Sequence, residues 1–370
     1  MDKVRLGIIG AGVMGSSHAK YVLDGSISRC ELTAVADFNP ANLEKFDGLK
    51  RFTDSHDMIT SGEVDAVLIA TPHYFHTAAG IDALENGLHV LVEKPISVHK
   101  ADAERLIAAH TNKDLVFAAM FCVRTVPQYK KIKQLIDNNE LGKIERINWI
   151  VTNWFRPEAY YRSSAWRATW KGEGGGVLLN QCPHQLDLLQ WMCGMPSSIQ
   201  AFCDLGVYHD IEVEDRVTAF LRYPNGATGL FVTSTGEAPG TNRLEIAGEM
   251  GKLVFENDEL TFARNEVSAR VFCDTTDNAF GIPEVWNAQI PVSGKAGVHA
   301  EITQNFVDAI LDGTPLIAPA EEGIKSIELA NAMLYSSLKN TAVELPLDGA
   351  VFAAELQRLI DTSTHQKATA

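Results

Sequence analysis

The chain has 370 residues, 46% of them hydrophobic, and a formal net charge of −15 at pH 7. This length exceeds what one ordinary hydrophobic core supports, so we expect two domains. The negative charge, with no basic cluster, disfavours binding to nucleic acid. No apolar stretch reaches membrane-spanning length and no signal-peptide pattern opens the sequence, which predicts a cytoplasmic protein without a membrane partner.

The first forty residues contain a dinucleotide-binding pattern. An apolar run from Val4 to Ile9 leads directly into the turn Gly10-Ala11-Gly12-Val13-Met14-Gly15, and a second run, Leu32 to Ala36, ends in Asp37. Strand, glycine-rich turn, helix start, second strand and terminal acid together form the fingerprint of a Rossmann fold. The backbone amides that open the helix, at Val13 and Met14, are expected to face the phosphates.

Each position of this pattern has a physical role. Gly10 permits the tight turn, Gly12 has no Cβ to block a pyrophosphate, and Gly15 lets the helix pack closely on the strand. Asp37 is expected to accept hydrogen bonds from both hydroxyls of the adenosine ribose and to repel the 2′-phosphate of NADP. NAD is therefore the expected cofactor, and NADP is the less favoured one.

The rest of the first half alternates apolar runs with helical patterns. The expected strands are Val64 to Ala70, Leu88 to Val92 and Leu115 to Phe121, and the expected helices are Thr77 to Asn86 and Lys100 to His110. This alternation predicts a parallel, doubly wound sheet with helices on both faces. We expect an α/β Rossmann domain over residues 1–123.

After Val123, strand-like runs dominate. The expected strands are Arg146 to Asn153, Ile199 to Tyr208, Asp215 to Tyr223, Ala227 to Ser234, Arg243 to Ala247 and Lys252 to Glu256. A helix from Val126 to Asn138 precedes them, helices at Glu301 to Leu311 and Glu321 to Leu338 follow, and Pro224-Asn225-Gly226 indicates a hairpin. We expect an α+β domain with a large, mostly antiparallel open sheet over residues 124–361, and a polar, frayed tail over 362–370.

Ligands of an open parallel sheet bind beyond the carboxyl ends of its strands. Three of these ends carry candidate site residues: Thr71-Pro72, Glu93-Lys94-Pro95 and Val123-Arg124. Lys94 stands out because the following proline fixes it where its ammonium would face a bound nicotinamide. The cationic ring would lower the pKa of Lys94 and suit it to proton transfer. A solvated loop lysine is the alternative.

A run rich in aromatic and arginine residues lies between the two predicted parts of the chain. It includes Trp154, Arg156, Tyr160, Trp166 and Arg167. Aromatic faces stack on the apolar faces of sugar rings, and guanidinium groups donate to hydroxyls or carboxylates. As a set, these residues favour a carbohydrate-like ligand. The alternative for any one of them is a place in the core or in a subunit interface.

A second polar cluster follows three consecutive glycines, Gly174 to Gly176. The glycines let the backbone pass close to a bulky group, and Pro183 is suited to the first turn of a helix. His184 then lies at the helix start, with Asn180 just before it. A histidine there can act as a base near neutral pH, and a structural histidine is the alternative.

The cysteines give no sign of disulfide or metal chemistry. They are Cys30, Cys122, Cys182, Cys193, Cys203 and Cys273. Neither a CxxC pair nor zinc-ligand spacing occurs, so we expect reduced, mostly buried thiols and no bound metal. Cys182 adjoins the candidate histidine, but a nucleophilic role is disfavoured because nothing else in the sequence indicates covalent chemistry.

Five motifs follow one another along the chain. They are the GxGxxG turn, the acid Asp37, ATP-x-x-x-H ending at His76, GxHVxxEKP ending at Pro95, and GGGxxxNxxxHxxD from Gly174 to Asp187. In this order they resemble the Gfo/Idh/MocA oxidoreductases, the relatives of glucose–fructose oxidoreductase and inositol dehydrogenase. The resemblance runs from Val4 to about Leu347. It implies a Rossmann domain followed by an α+β domain whose open sheet often supports homodimers or homotetramers.

The resemblance also implies a reaction, namely oxidation of a secondary hydroxyl of a sugar, glycoside or cyclitol such as inositol by NAD, or the reverse reduction. On this template Lys94 and His184 match the catalytic pair, and Asn180 stands where many members carry aspartate. An amide hydrogen-bonds but supplies no charge. We therefore expect His184 to be the more acidic of the pair, and the catalytic work to shift between it and Lys94.

The expected site residues fall into two groups. Those expected to contact the cofactor are Gly10, Gly12, Val13, Met14, Gly15, Asp37, Thr71, Pro72, His76, Glu93, Lys94, Arg124, Trp166 and Arg167. Those expected to contact the polyol or sugar substrate are Lys94, Trp154, Arg156, Tyr160, Asn180 and His184, of which Lys94, Asn180 and His184 are the catalytic candidates. Two other functions stay open: an NAD-using glycosidase that works by transient oxidation and elimination, and a non-catalytic sensor of sugar or NAD. The retention of both Lys94 and His184 counts against a sensor.

Overall fold

The computed structural model describes residues 2–366 of the chain. Among them, the N-terminal strands form a six-stranded sheet in the order β3-β2-β1-β4-β5-β6, and each neighbouring pair is parallel. The strands are β1 (Val4–Ile9), β2 (Cys30–Ala36), β3 (Lys50–Phe52), β4 (Ala66–Ile69), β5 (His89–Val92) and β6 (Phe117–Ala119). The helices of this part are α1 (Val13–Leu23), α2 (Ser55–Thr60), α3 (His76–Glu85) and α4 (Lys100–Ala109).

The central strands of this sheet are apolar along their length because both faces are covered. All four residues of β4 are buried. The strand order reverses between β1 and β4, so Gly10 and Ala70, which follow these strands, line the crevice where such sheets bind ligands. The predicted parallel, doubly wound sheet is confirmed. Its strands are shorter than the apolar runs because buried residues such as Met120 and Phe121 continue each run beyond the hydrogen-bonded pairing.

The second sheet has nine strands within the described residues, in the order β14-β13-β12-β11-β7-β10-β9-β8-β15. The strands are β7 (Ile144–Val151), β8 (Ser198–Leu205), β9 (Glu214–Arg222), β10 (Thr228–Ser234), β11 (Asn242–Gly248), β12 (Gly251–Glu256), β13 (Glu259–Asn265), β14 (Val285–Gln289) and β15 (Val343–Glu344). Strands β7 and β10 pair in parallel, and the other neighbouring pairs are antiparallel. The remaining helices are α5 (Pro127–Asp137), α6 (Glu158–Arg162), α7 (Pro183–Cys193), α8 (Ala269–Thr275), α9 (Val298–Asp312), α10 (Gly323–Lys339) and α11 (Gly349–Thr362).

One face of the nine-stranded sheet is covered and the other is open. Along β9, Val217, Ala219 and Leu221 are buried, whereas Phe220 between them is 41% exposed. Helix α10 packs along β8 and against α7 on the covered side. The predicted open, mostly antiparallel sheet is confirmed, and it places α7 between the sheet and the Rossmann part.

The end of the chain returns to the Rossmann part. Ile302 and Phe306 of α9 are buried in the same core as the six-stranded sheet. On α4, Nζ of Lys100 donates to Oε1 of Glu328 on α10 at 2.8 Å. These contacts tie both parts together along several segments, and the boundary between residues 123 and 124 stays a prediction.

Several elements escaped the sequence patterns, notably β13, β14 and α11. Helix α11 extends to Thr362, so the expected tail begins inside it. Residues 367–370 of that tail lie outside the described residues. Within residues 2–366, none of the helices combines the length and the apolar character needed to cross a bilayer.

Candidate active site

The glycine-rich turn after β1 has the shape that a dinucleotide requires. Gly10 has φ of +92°, and a Cβ there would lie 2.8 Å from the backbone of Ala70. A Cβ on Gly15 would overlap the carbonyl oxygen of Gly10. At Gly12, by contrast, a Cβ would project into open space, which leaves the room that a pyrophosphate would fill. The three glycines therefore fit a bound NAD.

Asp37 directly follows β2 and lies beside the glycine-rich turn. Its carboxylate accepts hydrogen bonds from the backbone nitrogens of Ala11 at 2.8 Å and Asn39 at 2.9 Å, and from Nδ2 of Asn42 at 3.1 Å. A carboxylate offers about four acceptor positions, so these bonds leave capacity for a ribose hydroxyl. Val13, at the start of α1, is 88% exposed, and its neighbour Met14 is also exposed.

The loops after β4 and β5 are joined beneath the crevice. His76 is 1% exposed, and its Nε2 and Nδ1 lie 2.8 Å from the carbonyl oxygens of Thr71 and Pro95. Thr71 and Pro72 are half-buried, and Oγ1 of Thr71 has no hydrogen-bond partner within residues 2–366. The geometry thus gives His76 a supporting place, and its direct contact with the cofactor stays a prediction.

Arg124 lies behind the site rather than at its surface. It is 1% exposed and donates from Nε and Nη2 to the carboxylate of Asp187, at 2.7 and 2.6 Å. Nη1 donates to Glu322 at 2.6 Å and to the carbonyl oxygen of Ile317 at 3.1 Å. Asp187 lies on α7, one turn after His184, so this ion pair ties the segment after β6 to the helix that carries the candidate base. A direct contact between Arg124 and the cofactor stays a prediction.

Glu93 and Lys94 follow β5 directly. Glu93 is buried and its Oε1 lies 2.7 Å from Nε2 of His18. Burial alone would raise the pKa of Glu93, but the hydrogen bond with His18 and nearby positive charge outweigh it and lower the pKa to about 2. Burial lowers the pKa of the Lys94 ammonium, and the charge of Glu93 opposes that effect.

Lys94 and His184 come from different parts of the fold and meet at one place. Nζ of Lys94 donates to the backbone carbonyl oxygen of Asn180 at 2.9 Å. Pro183 opens α7, as predicted, and places His184 in its first turn. Burial, and then the charge of Lys94, lower the pKa of His184 to about 3, so the imidazole is neutral at pH 7.

The imidazole of His184 has few partners. Its Nδ1 is enclosed and has no hydrogen-bond partner among the described residues. Its Nε2 lies 3.9 Å from Sγ of Cys122, and the same sulfur lies 3.6 Å from Nε2 of His299. Cys122 and His299 were not expected in the site. The position of Cys122 directly after the predicted strand Leu115 to Phe121 was an available signal, whereas His299 is brought in by α9 from far along the chain.

Asn180 is oriented by a buried acid that the sequence patterns missed. Its Nδ2 donates to Oε1 of Glu173, and its Oδ1 accepts a hydrogen bond from the hydroxyl of Tyr160 at 3.3 Å. Glu173 is 2% exposed and also accepts from the backbone nitrogen of Ala168 at 2.6 Å. The amide therefore turns its carbonyl oxygen towards Tyr160. The available signal was an acid directly before three glycines.

The three glycines approach protein rather than ligand. A Cβ on Gly174 would overlap Val98, and one on Gly176 would overlap the carbonyl oxygen of Glu214. The buried carboxylate of Glu214 accepts from the backbone nitrogens of Gly176 at 2.8 Å and Leu178 at 3.0 Å. Burial raises the pKa of Glu214 to about 7. These contacts fix the segment that leads to Asn180.

The aromatic and arginine residues form one connected layer over Asn180. The guanidinium of Arg167 lies 4.5 Å from the ring centroid of Tyr160 and 4.6 Å from that of Trp166, and its Nη1 donates to the Tyr160 hydroxyl at 2.7 Å. Trp166 also contacts His73 of the Rossmann part, with ring centroids 5.8 Å apart. The guanidinium of Arg156 lies 5.6 Å from the ring centroid of Trp154 and 5.2 Å from that of Tyr160.

All six cysteines are free thiols. Cys30, Cys122 and Cys182 are buried, Cys193 and Cys203 are partly buried, and Cys273 is exposed. Burial raises the pKa of Cys182 to about 12, so its thiol stays protonated. Across the part of the chain that the structure describes, no group of three or more His, Cys, Asp or Glu side chains is arranged to hold a metal ion.

Comparison with known proteins covers both parts of the chain. A family described as "Oxidoreductase family, NAD-binding Rossmann fold" matches residues 4–121, and the GFO/IDH/MocA C-terminal domain matches residues 129–254. Myo-inositol 2-dehydrogenase of Thermotoga maritima is 28% identical over 69% of this chain and 75% of its own length. Levoglucosan dehydrogenase of Pseudarthrobacter phenanthrenivorans is 25% identical over 94% of this chain and 99% of its own length.

Solved structures agree with these matches. The WlbA dehydrogenase from Bordetella pertussis, in complex with NADH and UDP-GlcNAcA, superposes with a TM-score of 0.78 and 26% identity over 94% of this chain and 100% of its own. Levoglucosan dehydrogenase in complex with NADH and L-sorbose has a TM-score of 0.78 at 21% identity over 94% of this chain and 100% of its own, which shows the shared fold. The crevice fits NAD and both domain descriptions match. The chain therefore belongs to the Gfo/Idh/MocA family of NAD-binding oxidoreductases.

Proposed function

We propose that this oxidoreductase oxidises a secondary hydroxyl of a sugar, glycoside or cyclitol, or runs the reverse reduction, with NAD as cofactor. The observation that carries the proposal is that Lys94, from the Rossmann part, donates to the backbone of the segment that leads into α7, and that its charge acts on His184 in the first turn of that helix. Relatives named inositol and levoglucosan dehydrogenases support a polyol substrate.

His184 is the proposed proton acceptor. Burial and the charge of Lys94 keep the ring neutral at working pH, which leaves a lone pair for the hydroxyl proton, although the same low pKa makes the imidazole a weak base in the absence of bound substrate and cofactor. NAD, when bound, supplies the hydride acceptor.

Lys94 is the proposed partner of His184. An ammonium has three donors, and the bond to the backbone carbonyl oxygen of Asn180 uses one of them. The other two can hold the hydroxyl oxygen of the substrate and stabilise negative charge that develops there. Its positive charge also keeps His184 from being protonated before the substrate arrives.

The layer over Asn180 is proposed to hold the sugar ring. Trp154 and Tyr160 offer aromatic faces, and the carbonyl oxygen of the Asn180 side chain offers an acceptor to a second hydroxyl. Glu173 fixes that orientation because it takes both the Asn180 amide hydrogen bond and a backbone donor.

The experiment is a variant comparison with a panel of inositols, hexoses and glycosides. Lys94→Ala should reduce NADH formation by about 100-fold or more, since proton-transfer groups contribute about 10²- to 10⁴-fold. NADH affinity should stay within a few-fold of the wild type. Lys113→Ala, which removes a surface lysine with a 68% exposed side chain, is the matched control and should be neutral.

Each other outcome identifies a different function. Unchanged turnover in Lys94→Ala contradicts the proposed roles. Release of sugar from a glycoside without net NADH formation would indicate the NAD-using glycosidase. Sugar binding that elicits neither reaction, with either NAD or NADP, would indicate a sensor.

A further inference from the structure

The backbone of Arg156 is held in place by contacts with two other segments. Its backbone nitrogen donates to the carbonyl oxygen of Thr235 at 2.9 Å, and its carbonyl oxygen lies 2.7 Å from Nε2 of His209. His209 is in turn held by the buried carboxylate of Asp215, which accepts from its backbone nitrogen and lies 3.1 Å from its Nδ1. The irregular segment that carries Arg156 is therefore fixed beside the end of β10.

The guanidinium of Arg156 has aromatic neighbours but no acidic one. It lies 5.6 Å from the ring centroid of Trp154 and 5.2 Å from that of Tyr160, and Nη1 donates to the carbonyl oxygen of Phe155 at 2.9 Å. Within residues 2–366, no carboxylate oxygen lies within 4.0 Å of it. Arg124, by comparison, is enclosed by two acids.

Arg156 is linked to the candidate catalytic groups through Tyr160. Its guanidinium lies over the Tyr160 ring, whose hydroxyl donates to Oδ1 of the Asn180 side chain, and the backbone carbonyl oxygen of Asn180 accepts from Lys94. Its positive charge also acts on the buried Cys182 thiol, two residues before His184. The Tyr160 side chain therefore lies between the guanidinium and the segment that carries Asn180 and His184.

This charge has a chemical consequence. Burying a charged group without a counterion costs free energy. Arg156 is partly buried and has no acidic partner among the described residues, although the chain has a net charge of −15. The planar fork of a guanidinium matches a carboxylate through two parallel hydrogen bonds. Flanking aromatic rings hold that fork flat and exclude water from one side.

We propose that Arg156 is an anion subsite and that the substrate is an acidic sugar or cyclitol, with a carboxylate held by Arg156 while a hydroxyl on the same ring lies between Lys94 and His184. The inference rests on the proposed function and narrows its substrate class. A sugar phosphate presents the same negative charge with a different geometry, so the test includes one.

The test measures binding to the NADH-loaded protein by calorimetry. The probes are D-glucuronate and D-galacturonate, their neutral parents D-glucose and D-galactose, and D-glucose 6-phosphate. We expect at least one hexuronate to bind about 10- to 100-fold more tightly than its neutral parent, which is the contribution expected of a charged hydrogen-bonded pair. Tighter binding of the phosphate would overturn the carboxylate assignment.

Variants locate the effect. Arg156→Met should abolish the preference for the acid over its neutral parent, and Arg156→Lys should retain part of that preference. Arg162→Met, an exposed arginine of the same segment, is the matched control and should retain all of it. Thermal melting verifies that each variant is folded. A preference that persists in Arg156→Met, or equal or no binding of acid and neutral sugars, overturns the inference.

Turnover separates this inference from the proposed function. NADH formation from neutral polyols but not from acids would leave the dehydrogenase standing and overturn the subsite. Arg156-dependent binding of acids without NADH formation from NAD would leave the subsite standing and overturn the dehydrogenase.

Discussion

The ion pair between Arg124 and Asp187 allows a direct test of what anchors helix α7, which carries the candidate base, to the segment after β6. Both side chains are 1% exposed, and two hydrogen bonds of 2.7 and 2.6 Å join them. Asp187→Asn keeps the shape of the side chain but leaves the guanidinium without one of its two acidic partners. Removing one partner of a buried pair costs about 3 to 5 kcal/mol.

This cost converts into a measurable shift. With an unfolding entropy of about 2.1 cal/mol/K per residue, 370 residues give about 0.8 kcal/mol/K, so the melting temperature should fall by about 4 to 6 °C if the chain unfolds as one unit. Turnover should fall as well, because Asp187 lies one turn from His184 on the same helix. Calorimetric melting and NADH formation are the two assays.

The control is a pair that is exposed instead of buried. Lys3 and Glu31 lie 3.0 Å apart with side chains 52% and 57% exposed. Glu31→Gln should cost about 1 kcal/mol or less. If Asp187→Asn melts no lower than Glu31→Gln, the ion pair does not anchor α7 and the reasoning is refuted.

Three further outcomes follow from contacts around Asn180. Gly176→Ala should fold poorly or melt well below the wild type, because a Cβ there would overlap the carbonyl oxygen of Glu214; a normal melt would contradict this. Burial raises the pKa of Glu214 to about 7, so between about pH 4.5 and about pH 7 the folded protein keeps this carboxyl protonated while the unfolded chain loses the proton. The free energy of unfolding therefore falls as pH rises through this range. Glu214→Gln should therefore become more stable relative to the wild type between about pH 5 and about pH 8 in thermal melts, and a constant difference would argue against a titrating Glu214. Glu173→Gln should lower kcat/KM about tenfold or more with unchanged NADH affinity, because the Asn180 amide loses its charged partner; an unaltered kcat/KM would remove Glu173 from the site.

The sequence predicts those parts of the fold that depend on local pattern. The turn from Gly10 to Gly15 and the start of α7 at Pro183 are set by residues adjacent in the chain, and the structure has them where the patterns indicate. Strand β14 escaped because its residues are mostly exposed and show no alternation. Helix α11 was missed although Phe352 and Leu356 are buried and Leu359 and Ile360 pack against the core, so its apolar spacing was available in the sequence.

The residues of the candidate site are harder to predict from local sequence patterns. Lys94 and His184 could be singled out because each follows a characteristic local motif. Their supports could not, because Glu173 matters only through the amide it orients, and His299 only through a sulfur that another segment provides. The two acids that enclose the Arg124 guanidinium were also not foreseen, because Asp187 and Glu322 come from distant segments, and the expected contact of Arg124 with the cofactor stays a prediction.

The central claim is that Lys94 and His184 act together on one hydroxyl group. The most direct measurement is a double-mutant cycle on NADH formation with Lys94→Ala, His184→Ala and the double variant, using the best substrate of the panel. Groups that act as a unit give losses far from additive, so the double variant should be little slower than the slower single variant. If the two losses multiply, the residues act independently and the account is wrong.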